Sequence, residues 1–129
     1  MKASNSIKKN AGFVNKFLKK ELKGDPKQLY DAASHLILHG GKRLRPFLVL
    51  KSCQMLGGRQ SDAMAAASAV EMIHNFTLVH DDIMDNDEMR HGVPTTHKKF
   101  DMPLAILAGD VLYSKAYHTI STKSKFVSP

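Results

Sequence analysis

The stretch Glu71–Gly92, EMIHNFTLVHDDIMDNDEMRHG, constrains this chain most, because an apolar helical run passes directly into a knot of acid. Asp81, Asp82, Asp85, Asp87 and Glu88 place five carboxylates in eight residues with no base among them. At about 100° per residue, His74, Asp81 and Asp85 fall within roughly 40° of one another on a helix wheel. Thr77 lies close beside them, while Phe76, Val79 and Ile83 point elsewhere. One face of a largely buried helix therefore carries a histidine and, two turns later, two carboxylates one turn apart. Acids near a helix C-terminus oppose the macrodipole, and like charges four residues apart repel. A cation is expected there, and carboxylates without thiols or paired imidazoles suit a hard ion such as Mg2+. A solvated acidic helix end is the plainer alternative, and DDxxD alone does not decide between the two.

The 129 residues make one domain's worth of chain, and 43% hydrophobic content with no low-complexity tract places it in the globular class. Net charge is +7, of which residues 1–24, with seven lysines and one acid, hold +6. The basic balance thus describes one N-terminal helix, and a general nucleic-acid partner is not expected. A single cysteine, Cys53 in an apolar run, fits a core role in a reduced, cytoplasmic compartment. Ala63 to Val79 is the best candidate for a membrane span, yet Glu71, His74 and Asn75 interrupt it, so the chain reads as not transmembrane.

Ile7, Ala11, Val14, Leu18 and Leu22 recur at helical spacing and predict a first amphipathic helix whose apolar stripe docks on the body of the protein. Asp25 as N-cap and Pro26 at the first helical position predict the start of a second helix, ended at Gly40-Gly41 with the first glycine left-handed. Phe47 to Leu56 predicts a buried third helix. Ser61 or Asp62 is expected to cap the long helix, which runs to about Asp85 or Asn86. Residues 87–102 read as a loop punctuated by Gly92 and Pro94. Pro103 opens a last helix to about Ile120, and residues 121–129 read as a frayed tail. About five helices and no strand are expected.

GGKRLRP, residues 40–46, sets Lys42, Arg43 and Arg45 just after a glycine break, the residue types that hold phosphate oxygens by point charge and planar fork. It is not a P-loop, since the G-x-x-x-x-G-K-[ST] order is missing. A second basic element, Arg90-His91, follows the acidic knot. A carboxylate face of metal type flanked by two cationic elements has the parts to hold two phosphorylated ligands, one on metal and one on bare cations.

GGKRLRP, then His74, then DDIMD followed by Arg90-His91-Gly92-Val93-Pro94-Thr95-Thr96-His97, resembles the front half of a trans-prenyl diphosphate synthase. The resemblance runs from about Leu29 to Tyr117, with several spaced elements in order. It implies an all-α isoprenoid-synthase bundle, of which residues 1–129 are a partial domain, and prenyl transfer from an allylic diphosphate to isopentenyl diphosphate. It implies that Lys42, Arg45 and His74 hold isopentenyl diphosphate. Asp81 and Asp85 would bind Mg2+ bridging the allylic diphosphate, with Asp82 in support and Arg90 gripping that diphosphate. His91 stands where the family usually has an arginine that contacts isopentenyl diphosphate. Phe76, five residues before Asp81, and its neighbour Thr77 stand where the family limits product length, in a manner similar to archaeal-type geranylgeranyl synthases; a plain core role for Phe76 stays open. The family also implies a homodimer at full length and a second aspartate-rich motif. No carboxylate side chain follows Asp110 here, so the chain is expected to be a truncated, poorly active piece. Three rivals remain: a non-catalytic binding or dimerising half, a basic helical nucleic-acid-binding module, and a metal phosphohydrolase suggested by His80-Asp81.

Overall fold

A computed structural model describes residues 2–124. Six helices and one short hairpin follow in chain order: α1 (Lys2–Glu21), α2 (Lys27–His35), α3 (Leu44–Met55), α4 (Gln60–Met84), β1 (Met89–Arg90), β2 (Val93–Pro94), α5 (Thr96–Lys99) and α6 (Met102–Lys123). The long helix forms because an alanine-rich start and a following apolar run contain no glycine or proline to interrupt it. It packs chiefly against α6, where Ala69 and Ala116 share one cleft and Gly109 lies so near the His80 ring that an added Cβ would clash with it. α1 docks as its stripe predicts, burying Val14, Leu18 and, just beyond it, Leu22.

Several boundaries differ from the sequence reading. Pro26, not Asp25, occupies the cap position of α2. Arg59 occupies the cap position of α4, and the Asp62 carboxylate accepts from the Arg59 backbone N–H at 3.1 Å, so Asp62 acts from inside the first turn and not as the cap. The left-handed glycine after α2 is Gly41 (φ +98°), not Gly40, and Arg43 (φ 56°) carries a second left-handed turn into α3. Arg43 tolerates that conformation because its side chain is tied down below. α3 is not a buried helix: Pro46 and Leu50 are buried, but Leu48 is 63% exposed and Leu56, just past its end, 90%. Cys53 is half-buried against the core edge. α6 extends through Lys123, past the expected fray at Ser121, and residues 125–129 of that expected tail lie outside the described residues.

The expectation of no strand is also corrected. Arg90 pairs with Val93 and Met89 with Pro94 in an antiparallel ladder. His91 (φ 53°) and Gly92 (φ +76°) form the two-residue loop, the pair of positive φ angles that a type I′ turn requires. Two residues per strand are too few for alternation to register in a sequence.

The centre of the bundle holds an ion pair. Arg43 donates to the Glu71 carboxylate at 2.9 Å, to Asn15 Oδ1 at 2.8 Å and to the Ile37 carbonyl, while Asn75 Nδ2 donates to Glu71 Oε1 at 3.2 Å. The two charged side chains are only 3% and 4% exposed. Removing one partner leaves the other charge buried and unpaired, at a cost of about 3–5 kcal/mol. Glu71→Ala is therefore expected to lower the unfolding free energy by about that amount, and Arg43→Met/Glu71→Met to recover most of it. Chemical denaturation of both variants checks this; a single mutant as stable as the parent would remove the pair from its central place.

Candidate functional site

The face of α4 that the helix wheel marks out is the floor of the site. At its N-terminal end, a cleft of about 220 Å³ is lined by Lys42, Arg45, His74, Leu78 and His91, with Gly40 and Gly41 at the lip. Elements distant in sequence supply these groups: the turn before α3 supplies Lys42, α3 Arg45, α4 His74, and the hairpin turn His91. Arg43 lines the bottom but is committed to Glu71, so the cationic cluster contributes two free cations, not three. Arg45 Nη1 lies 3.3 Å from His74 Nε2. A guanidinium can only donate, so Nε2 accepts and the proton of the neutral ring sits on Nδ1. Burial and then the Arg45 charge lower the His74 pKa below the usual imidazole value, against the opposing pull of Glu71; Arg90 and His91 add to the lowering. His74 is thus a neutral member of a cationic pocket.

At the C-terminal end the acidic knot divides its labour. Asn86 (φ 54°) ends α4 with a left-handed turn in which Asp87 N–H donates to the Asp82 carbonyl and Asn86 N–H to the Ile83 carbonyl, the paired bonds of a Schellman motif. Asp81 and Asp85 are exposed, one turn apart, and their carboxylates have no hydrogen bond or ion pair among the described residues. No group of three or more metal-type ligands exists among the described residues. Two free carboxylates on one face still fit Mg2+, which commonly takes one or two carboxylates and fills its remaining positions with water and phosphate oxygens.

Asp82 does not share that face. It is fully buried and receives Arg90 in a fork, Nε at 2.9 and 3.0 Å and Nη2 at 2.7 Å. Its carboxylate therefore orients Arg90, a different task from the metal support expected of it. Arg90 in turn is anchored, with one edge of its guanidinium engaged. Thr95, fully buried, closes the hairpin by donating its hydroxyl to the Asp87 carbonyl at 2.8 Å.

Sequence reasoning missed the latch that sets the hairpin against α2. His35, 5% exposed, lies 2.7 Å through Nε2 from the Pro94 carbonyl, and Phe100 meets its ring edge-on at 5.8 Å. Gly40 lies against the His91 ring, where an added Cβ would sit 2.7 Å from the ring Cγ. The glycine thus admits the hairpin rather than a ligand. A histidine beside apolar Leu36 and Ile37 was the available signal. Phe76 faces α6, 4.7 Å from the His80 ring and 5.2 Å from Tyr113, which in turn lies 4.9 Å from Tyr117. Tyr113 and Tyr117 carried a signal too, four apart on the last helix. Thr77 is exposed on the α4 site face, its hydroxyl donating to the His74 carbonyl at 2.6 Å.

The family model for polyprenyl synthetase matches residues 26–128. The chain is 52% identical over 119 residues to a geranylgeranyl pyrophosphate synthase of Geoglobus acetivorans, covering 92% of this chain and 37% of that one. It is 49% identical over 108 residues to a geranylgeranyl diphosphate synthase of Sulfolobus acidocaldarius, covering 84% of this chain and 33% of the relative. The solved geranylgeranyl pyrophosphate synthetase of Pyrococcus horikoshii superposes with a TM-score of 0.89 at 45% identity, over 94% of this chain and 37% of that structure. The chain thus spans about a third of the length of these relatives.

Two imidazoles give the structure an acid sensitivity. Burial, then Lys99 and His39, lower the His35 pKa against the raising effect of its bond to Pro94, and His74 is lowered as described. Each group binds fewer protons folded than unfolded, so stability rises with pH across that interval. Their contribution is intact above about 6.5, the unfolded value, and is lost as pH falls through the depressed folded values. The melting temperature is expected to drop between about pH 7 and pH 5.5, and His35→Gln/His74→Gln to flatten that slope. An unchanged slope in the double variant would assign the sensitivity to other groups.

Proposed function

The chain belongs to the polyprenyl synthetase family, and we propose that its residues form the front of a trans-prenyltransferase site that joins isopentenyl diphosphate to an allylic diphosphate. The product class is a short chain of the geranylgeranyl kind, as the names of the relatives suggest. One observation carries the reading: a single face of α4 has a cationic cleft at one end and two free carboxylates at the other. Those are different receptors for the same chemical group, one for a bare diphosphate and one for a metal-bound diphosphate.

In this reading Lys42 and Arg45 hold isopentenyl diphosphate by point charge and fork, while neutral His74 keeps Arg45 in place by accepting its N–H. His91 closes the cleft from the hairpin. Asp81 and Asp85 would hold Mg2+, which supplies Lewis-acid stabilisation of the charge that builds on the departing diphosphate. Arg90, aimed by Asp82, presents its outer edge to the same diphosphate. Phe76 and Tyr113 join α4 to α6 in an apolar wall, which keeps water from a carbocation and limits the room for a growing chain. A homodimer in the cytoplasm goes with this reading. The exposed apolar side chains of Leu48 on α3 and Ile106 on α6 are consistent with association, and no helix among the described residues is long and apolar enough to cross a membrane.

In a full-length synthase carrying these residues, Asp81→Ala and Asp85→Ala are each expected to cut turnover by several kcal/mol of barrier. Asp87→Ala, past the end of the helix and off the shared face, is expected to be mild, about 0.5 kcal/mol or less. Steady-state rates at saturating Mg2+ separate these cases, and equal losses at all three positions would make the knot a diffuse acidic patch. The 129-residue chain alone, with one carboxylate pair, is expected to bind isopentenyl diphosphate but transfer almost no prenyl group. Sustained Mg2+-dependent incorporation of labelled isopentenyl diphosphate by that chain would contradict this.

A further inference from the structure

α1 carries a surface that the diphosphate site does not use. Its buried residues Asn10, Val14, Leu18 and Glu21 define one side of the helix. At about 100° per residue, all six lysines of the helix, from Lys8 at one edge to Lys2 and Lys20 at the other, fall within roughly 120° of arc centred on the opposite side. All six are exposed, as is Lys23 just beyond. None has a hydrogen bond or ion pair among the described residues. The lone acid of the segment, Glu21, turns inward and pairs with Lys123, so it does not temper the ridge. Lys16, Lys19 and Lys20 stand at three- and four-residue spacings where a solvated helix ordinarily intersperses glutamates, and like charges at those spacings repel. The result is a band of uncompensated positive charge along one side of the helix, about 27 Å long.

We propose that this ridge is a docking surface for an anionic lipid bilayer. Three features favour a membrane over a nucleic acid. The ridge is convex and one-sided, which matches a plane of charge better than a groove. It consists of lysines only, with no arginine fork to grip a phosphate or a base edge in two places. Phe13, 46% exposed, sits at its margin between Lys9 and Lys16, the arrangement of an interfacial helix that sets an aromatic ring into the headgroup layer. The apolar stripe of α1 is already spent on the core, so attachment is electrostatic and reversible, peripheral rather than embedded. This inference stands apart from the diphosphate reading, since it involves other residues and a ligand-free assay.

Sedimentation of the 129-residue chain with vesicles tests it. Binding is expected to phosphatidylcholine vesicles doped with phosphatidylserine, not to phosphatidylcholine alone, and to fall with added salt. Each lysine removed should weaken partition roughly fivefold, so Lys9→Gln/Lys16→Gln/Lys20→Gln should lose on the order of 100-fold. Lys27→Gln/Lys98→Gln, which removes two positive charges away from the ridge, each paired with a carboxylate, should retain binding. Circular dichroism of the triple variant should match the parent; if it does not, salt release and the Phe13→Ser variant, expected to bind more weakly, carry the test. Equal binding to neutral and anionic vesicles, a triple variant that binds like the parent, or tight binding to RNA with none to vesicles would each overturn the proposal.

Discussion

The arrangement of the site depends on the buried pair between Arg43 and Glu71. It forces a non-glycine residue into a left-handed turn at the start of α3 and holds it there with donors to Glu71, Asn15 and Ile37. Because Arg43 turns inward, Lys42 and Arg45 are left to line the cleft, and α3 leaves the turn packed against α4. The charge in the core also tethers three helices at one point, since Asn15 lies on α1 and Glu71 on α4. Such a pair adds little net stability over apolar residues of the same volume. What it supplies here is a fixed orientation for a loop that must present two cations and no more.

Much of this was legible in the sequence because it rests on periodicity. The unbroken pattern from Ala63 onward places His74, Asp81 and Asp85 on one face whatever packs around it, and α4 runs from Gln60 to Met84 as that pattern requires. What depends on three-dimensional neighbours was not legible. Lys42, Arg43 and Arg45 are equivalent as letters, and only Glu71, 28 residues from Arg43, selects the one that is buried. The same holds for Asp81 and Asp82, adjacent in the chain but about 100° apart on the helix. One is exposed and free, and the other is buried and paired with Arg90. α3 reads as buried from its composition, yet the described residues cover only one side of it.

The acidic knot and the hairpin work as one unit. A Schellman turn at Asn86 brings the chain back beside α4, Thr95 closes the loop on the Asp87 carbonyl, and the Asp82 fork fixes Arg90 at its first strand. The hairpin is also held from outside by His35 on Pro94 and by Gly40 against His91. The end of α2 and Gly40 beyond it therefore set the position of the hairpin and, two residues past that glycine, that of Lys42. The two cationic elements that the sequence presents separately share one mechanical support. A shift of the hairpin would displace His91 and Arg90 together.

On the proposed reading, the selectivity of this arrangement rests on a neutral His74. A protonated imidazole would face the Arg45 guanidinium at 3.3 Å with no acceptor left between them, and the two cations would part. Kept neutral by burial and by those same cations, the ring instead accepts from Arg45 and leaves the pocket with two charges whose positions are fixed. An anion entering there replaces water around donors already aimed, so little reorganisation is needed. At the other end of the helix face the polarity is reversed, and the free carboxylates of Asp81 and Asp85 repel any diphosphate that arrives without a metal. On the proposed reading, one helix face sorts two ligands bearing the same group by the charge that accompanies it, and the roughly 10 Å between His74 and Asp81 along α4 keeps the two receptors apart.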